Sequence, residues 1–163
     1  MRKKKAGIVA FAFGVPASVH SNVLIARVAS QKARELVAPV FTQLDVGIDP
    51  DVEVSYIIER LGEPPPTLKI AKEAVQWAVE IGIRQLWVVA AKPHLWRCLR
   101  DLKQAACEEG IKIDVCEEIE KYPADEWFCD DSTQERTRSR KAWERRERIL
   151  KCLPFFIYKC IAS

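Results

Sequence analysis

Two periodicities alternate along the chain. Short and nearly continuous apolar runs, at residues 6–13, 37–44, 85–91 and 111–115, are separated by longer stretches whose apolar residues recur every three or four positions. The first pattern is that of a strand covered on both faces, the second that of an amphipathic helix. Their alternation predicts βαβ units: a three-layer Rossmann-like α/β domain with a mainly parallel sheet of four to five strands. Strand one, residues 6–13, leads through a turn-rich loop into a helix over 22–37, with Ser21 as its N-cap and Leu24, Val28 and Leu36 on its inner side. Pro39 stands at the start of the second strand, where a missing N–H does least harm. Residues 45–66 are less regular, with a short helix expected over 54–61 and stopped by Pro64-Pro65-Pro66. Thr67 opens a strongly amphipathic helix carrying Ile70, Ala71, Ala74, Val75, Ala78 and Ile81, and Gly82 stops it. A further helix runs from Pro93-His94 to about Glu109 and ends at Gly110.

The chain has 163 residues, 48% apolar and 30% charged. That is the length of one domain with a full hydrophobic core, so a single domain over 1–163 is expected. Its net charge of +3 is too small for a general nucleic-acid footprint, and nucleic acid is an unfavoured partner. Six cysteines, all in the second half, include no C-x-x-C, and there are two histidines, so no zinc module is expected. Reduced thiols fit the large core better than a disulfide framework does. Arg2-Lys3-Lys4-Lys5 before an apolar run imitates a signal peptide, but the run suits a buried strand. No run of about 18 apolar residues exists, so a cytoplasmic protein without a membrane span is expected.

Charge segregates beyond residue 100. Residues 101–131 hold 11 acidic against 3 basic side chains, and residues 132–151 hold 8 basic against 3 acidic. Ser132 with Glu135 three positions on forms a capping box, predicting a basic C-terminal helix over about 132–153 with a solvated face or one turned to the acidic region. Residues 152–162 are apolar and interrupted by Pro154 and Lys159. They read as a last strand, a docking helix or an interface patch, and oligomerisation through them stays open.

In an open parallel sheet, ligands bind beyond the carboxyl ends of the strands. After strand one Gly14 stands alone, without the glycines of a dinucleotide turn or a P-loop. Ser21 either just caps its helix or helps that helix N-terminus hold an anion. Gln43 and Asp45, two apart past strand two, aim at one crevice if the segment is extended; equally, Asp45 ends a turn near Gly47. His94 is the best single candidate, an acid, base or neutral donor at the start of a helix. Arg97, one turn on, addresses the same anion. Arg27 pairs with Asp45 or an anion, or points to solvent.

Four blocks resemble the YdcF/SanA/ElyC-like family of bacterial proteins. They are Ser21-x-x-Leu24-x-x-Arg27-Val28, the cluster Thr42-Gln43-Leu44-Asp45, the helix start Thr67-Leu68-Lys69-Ile70-Ala71, and Val88 to Arg97 with its His94 and Arg97. The resemblance implies a Rossmann-like fold with a pocket lined by those blocks, Thr67 included, and S-adenosylmethionine as a candidate cofactor. The chain departs from the family at Ile70, at Ala91 and in the Gln43/Asp45 cluster. The resulting expectation is a YdcF-like domain binding a small anionic or nucleotide-like ligand, as a transferase, a hydrolase or a binding domain. His94 would be the catalytic group, with Gly14, Ser21, Arg27, Gln43, Asp45, Thr67 and Arg97 around the ligand. The alternative is a non-catalytic interaction or regulatory domain using the C-terminal helix and tail.

Overall fold

The computed structural model describes residues 5–60 and 62–162; of the charged start, only Lys5 falls among them. Five parallel strands form one sheet: β1 Ala6–Ala10, β2 Val40–Thr42, β3 Val54–Tyr56, β4 Gln85–Val89 and β5 Lys112–Val115. Their order is β3-β2-β1-β4-β5, so the chain winds outward from β1 in one direction and then, from β4, in the other. The helices are α1 His20–Leu36, α2 Thr67–Glu80, α3 Leu95–Ala106, α4 Arg140–Cys152 and α5 Phe155–Ala162. This is the three-layer Rossmann-like arrangement that the alternating pattern predicts.

Strand pleating divides the core. Ile8 and Ala10 of β1 pack with Leu24, Ile25, Val28 and Ala29 of α1, while Val9 and Phe11 face Ile70, Ala74 and Val75 of α2 and Leu102 of α3. Continuous apolar strands are required because both faces are covered. Gly82 (φ 74°) stands directly after the C-cap of α2 in the left-handed region, as its position predicts, whereas α3 ends at Ala106, short of the expected Glu109, and Gly110 (φ 63°) closes the turn that follows it.

Three local expectations are corrected. The stretch read as a short helix over 54–61 contains the edge strand β3: Val54 and Tyr56 are strand formers, and Val40 aligns with Val54. The connection from β2 instead bends through turns closed by Val46 N–H to Gln43 O and Val52 N–H to Asp49 O. The N-cap of α1 is Val19, not Ser21, which lies inside the first turn. The basic segment is not one helix from Ser132. A single 3-10 turn at Glu135–Thr137 precedes α4, whose N-cap is Ser139, its Oγ accepting from Ala142 N–H at 3.3 Å. Ser132 is buried and its Oγ accepts from Val15 N–H at 3.2 Å, so a long-range contact to the β1 loop prevails over the local capping box.

The apolar tail is α5, which docks on α2 and α4. Tyr158 is 2% exposed and packs with Leu68 and Leu150, and its hydroxyl donates to Asp101 Oδ2 at 2.6 Å. Phe156 and Ile161 remain on the outer side, exposed. All six cysteines are free; Cys98, Cys116 and Cys129 are buried and Cys107, Cys152 and Cys160 exposed. Among the described residues no helix is long and apolar enough to cross a membrane.

Candidate functional site

The winding reverses between β1 and β4, and the loops leaving these two strands open a crevice at the carboxyl edge. The β1 loop is held by Asn22, buried on α1. Its Oδ1 accepts from Phe13 N–H at 2.8 Å, and its Nδ2 donates to Gly14 O at 3.0 Å and Pro16 O at 3.1 Å. Ser21 adds a bond from Oγ to Phe13 O at 2.5 Å. Ser21 therefore fastens the loop and does not line the cavity beneath it. Gly14 lines that cavity with φ 107°, a backbone region in which a side chain is strained.

Beyond β2, Gln43 is buried and reaches across to the β1 loop, its Oε1 accepting from Ala12 N–H at 2.9 Å. Asp45 does not join it. The Gln43–Val46 turn carries it away from the cavity, so the extended geometry expected for the pair fails. Asp45 is 2% exposed with Oδ1 unpartnered, and burial raises its pKa above the usual carboxylate value. Arg27 is exposed on α1 and lines no part of the cavity.

His94 sits at the N-cap of α3, its N–H bonded to Ala91 O at 2.8 Å. That turn lays the ring, only 6% exposed, against Thr67, the first residue of α2. Thr67 Oγ1 lies 3.2 Å and Arg97 Nη2 3.1 Å from His94 Nε2. A guanidinium only donates, so Nε2 accepts and the ring proton resides on Nδ1. Nδ1 is buried with no partner. Burial, then the charges of Arg97, Arg146 and Arg136, keep the His94 pKa well below 6.5, so the ring stays neutral.

Arg97 was expected to face the ligand beside His94. It stands behind the ring instead, 5% exposed, with Nη1 3.4 Å from Glu147 Oε1 and its guanidinium 5.3 Å from the Trp143 ring centroid. Glu147 and Trp143 come from α4, and Arg136 from the turn before it. Glu147 Oε1 also lies 3.4 Å from Arg146 Nη1. Partial burial and the neighbouring Arg97 hold the Arg136 pKa below its ordinary value, and burial, Arg97 and Arg136 do the same for Arg146. Two guanidinium groups, Arg97 and Arg146, thus share one carboxylate, and a third, Arg136, lines the cavity beside the neutral histidine. Burial raises the Glu147 pKa even so.

The cavity enclosed by Gly14, Gln43, Thr67, His94, Arg136 and Trp143 measures about 40 Å³. That is room for about three waters or one small tetrahedral anion, since a water needs about 10–15 Å³. The helices α1, α2 and α3 begin at this edge with no acidic residue in their first turns and no side-chain cap, so their N-terminal partial positive charges are not offset locally. Cys98, next to Arg97, is fully buried in the core with its thiol pKa pushed well up by burial, which removes it as a nucleophile. Among the described residues no group of three or more His, Cys, Asp or Glu is placed to hold a metal ion.

Asn22, Arg136, Trp143, Arg146 and Glu147 were not singled out from the sequence as parts of this site. Trp143 carried a signal: a lone tryptophan inside a run of Arg and Glu has to be buried somewhere. The site defines the protein as an α/β domain with a small, positively charged crevice at the switch point of a parallel sheet. No protein-family profile matches the chain, and no curated protein matches it at a significant level.

Proposed function

We propose that this domain binds a small oxyanion, a phosphate group or its equivalent, in the cavity between the β1 loop, Thr67 and His94. The observation that carries the reading is the excess of guanidinium groups. Arg97 and Arg146 share the single carboxylate of Glu147 while Arg136, which makes no ion pair among the described residues, lines the cavity, and the mutual repulsion of the three is relieved when an anion enters. The three helix N-termini act in the same sense.

His94 serves as a hydrogen-bond donor. Its Nε2 lone pair is engaged by Arg97, which leaves Nδ1–H, buried and unpartnered, as the ring's contribution to a ligand. A general base would need the opposite arrangement. The role expected for His94 as catalytic acid or base gives way, in this reading, to that of a neutral donor. Thr67 supplies a hydroxyl and Gln43 fixes the loop that closes the cavity. The family resemblance to YdcF-like proteins and a cytoplasmic setting accompany this reading as proposals of the same standing.

Thermal denaturation with sulfate, inorganic phosphate and simple phosphate monoesters tests it. Anion at 100 times its dissociation constant stabilises by about 2.7 kcal/mol, a rise in Tm of about 5–10 °C for a chain of this size. Arg136→Gln should weaken binding about tenfold, as loss of one charge-assisted contact does. No stabilisation by any of these anions overturns the reading.

A further inference from the structure

On the other side of Trp143 from the cavity, between the start of α3 and α4, runs a groove of about 480 Å³. That volume lies within the range of small-molecule sites. Pro93 and Trp96, at the start of α3, and Phe128, after the 3-10 turn Ala124–Trp127, form its apolar sides, all three half-buried. Trp143 is 3% exposed and bonded through Nε1 to Pro93 O at 3.0 Å, and it walls the groove off from the anion cavity. The groove is a separate concavity.

Charge lines its remaining side. Arg140, Glu144, Glu147, Arg148 and Lys151 border it from α4, and Lys92 from the turn before α3. Both carboxylates are committed within the protein, Glu144 to Arg140 at 2.7 Å and Glu147 to Arg97 and Arg146 at 3.4 Å. Lys92 is taken by Glu120 at 2.7 Å. Arg148 and Lys151 are exposed and make no ion pair among the described residues; Lys151 rests 4.8 Å from the Trp96 ring centroid. Four cations thus stand against two engaged carboxylates around apolar walls. Long charged side chains keep their heads in water, so they do not fill such a space themselves.

We propose that this groove is a second binding site, for a small organic anion: a carboxylate carried on a flat apolar body. The body packs against Pro93, Trp96 and Phe128, and the carboxylate meets Arg148 and Lys151, the two cations with no acid of their own. As the ligand enters, the Lys151 ammonium leaves the Trp96 face for the carboxylate and uncovers the indole for the apolar body. A second copy of this chain is a poor occupant, because a symmetric contact through the groove brings the same cationic rim from each copy together. The proposal stands apart from the oxyanion reading, since neither the ligand nor its contacts are shared.

Calorimetric titration of the full chain with 2-naphthoate, its neutral amide 2-naphthamide and acetate tests this. 2-Naphthoate should bind about tenfold tighter than the amide, the increment of one hydrogen bond to a charged group. Acetate, which lacks the apolar body, should give no heat of binding at the same concentrations. Arg148→Gln and Lys151→Gln made together, two exposed changes that disturb no core, should bring 2-naphthoate down to the level of the amide. Trp96→Leu should weaken both ring compounds while the chain keeps its cooperative unfolding. Saturating sulfate should leave the affinity for 2-naphthoate unchanged. Equal binding of acid and amide, displacement of 2-naphthoate by sulfate, or no binding of 2-naphthoate overturns the proposal. So does a dimer in sedimentation equilibrium that Trp96→Leu dissociates, because the groove then belongs to a second copy.

Discussion

Arg97 donates to His94: Nη2 lies 3.1 Å from Nε2, inside a region almost closed to solvent. A cation so placed fixes the tautomer of the ring and opposes its protonation at the same time. His94 is consequently a neutral donor over the whole pH range in which a surface histidine titrates.

Linkage turns this into a measurable stability effect. The folded-state pKa of His94 is depressed, by burial first and by the three arginines next, so below pH 6.5 the unfolded chain takes up a proton that the folded chain refuses. Stability conferred by the neutral ring is therefore full above that pH and falls by up to about 1.4 kcal/mol per unit as pH drops. Buried Asp101 and Glu147, whose pKa values are raised by burial, push the other way, so the effect is read as a difference. Denaturant unfolding of the native chain and of His94→Asn between pH 7.5 and 5 should show the native chain losing ground relative to the variant. Parallel curves would mean that the ring titrates normally.

The crowding of like charge predicts that binding and stability conflict. Arg136 makes no ion pair among the described residues, and its pKa is lowered by partial burial and by Arg97. Arg136→Gln should raise the Tm of the anion-free protein by about 1–2 °C, equivalent to ~0.5 kcal/mol for a chain of this length, while it weakens sulfate binding. Such opposite signs are typical of functional positions. A variant that is both less stable and unchanged in binding would make Arg136 an ordinary surface residue.

The parts of this site differ in how far the sequence reveals them, and the reason is topological. His94 and Thr67 each open a helix after the chain has crossed to the carboxyl edge, so the element pattern alone places them near one another. Gln43 is legible in the same way, as the residue just past β2. Asp45 is not, because the two-residue periodicity of a strand was extended into a segment where the Gln43–Val46 turn had already ended it. Arg136, Trp143, Arg146 and Glu147 arrive from a segment far along the chain whose charged pattern reads as a solvated helix. No local rule states which face of that helix meets the sheet edge. The contact is decided by Trp143, which packs on Phe13 at a centroid distance of 4.6 Å and donates from Nε1 to Pro93 O at 3.0 Å. Asn22, a buried amide within an apolar helix face, was the remaining clue, since such a group must satisfy a nearby loop.

Gly14 tests the construction of the β1 loop. A Cβ there would lie 2.9 Å from Ser132 Oγ and 3.3 Å from Thr137 Oγ1, at φ 107°. Both hydroxyls are already committed, Ser132 Oγ and Thr137 Oγ1 to each other at 2.8 Å, so neither can withdraw freely. Gly14→Ala should cost about 1–3 kcal/mol, the penalty of an unfavourable backbone conformation, and lower the Tm by about 2–12 °C. A loss within experimental error would show that the loop rearranges, and anion binding should then be unaffected.

The last prediction concerns how α5 is held. Tyr158 donates to Asp101 Oδ2 at 2.6 Å, Arg100 reaches Asp101 Oδ1 at 3.1 Å, and the Arg100 guanidinium lies 3.7 Å from the Tyr158 ring centroid. Asp101 is fully buried, so its carboxylate depends on these two partners for compensation. Tyr158→Phe retains the ring and its apolar contacts but leaves Oδ2 without its donor. The expected cost is about 1.5–3 kcal/mol, that of a hydrogen bond to a charged group, and it should shrink at acid pH as Asp101, whose pKa burial already raises, becomes neutral. Because α5 covers Leu68 next to Thr67, loosening it should also speed proteolysis after Lys159 while leaving sulfate affinity nearly unchanged. A Tyr158→Phe protein as stable as the native chain at pH 7.5 would mean that apolar packing alone, through Leu150 and Leu153, holds the tail in place.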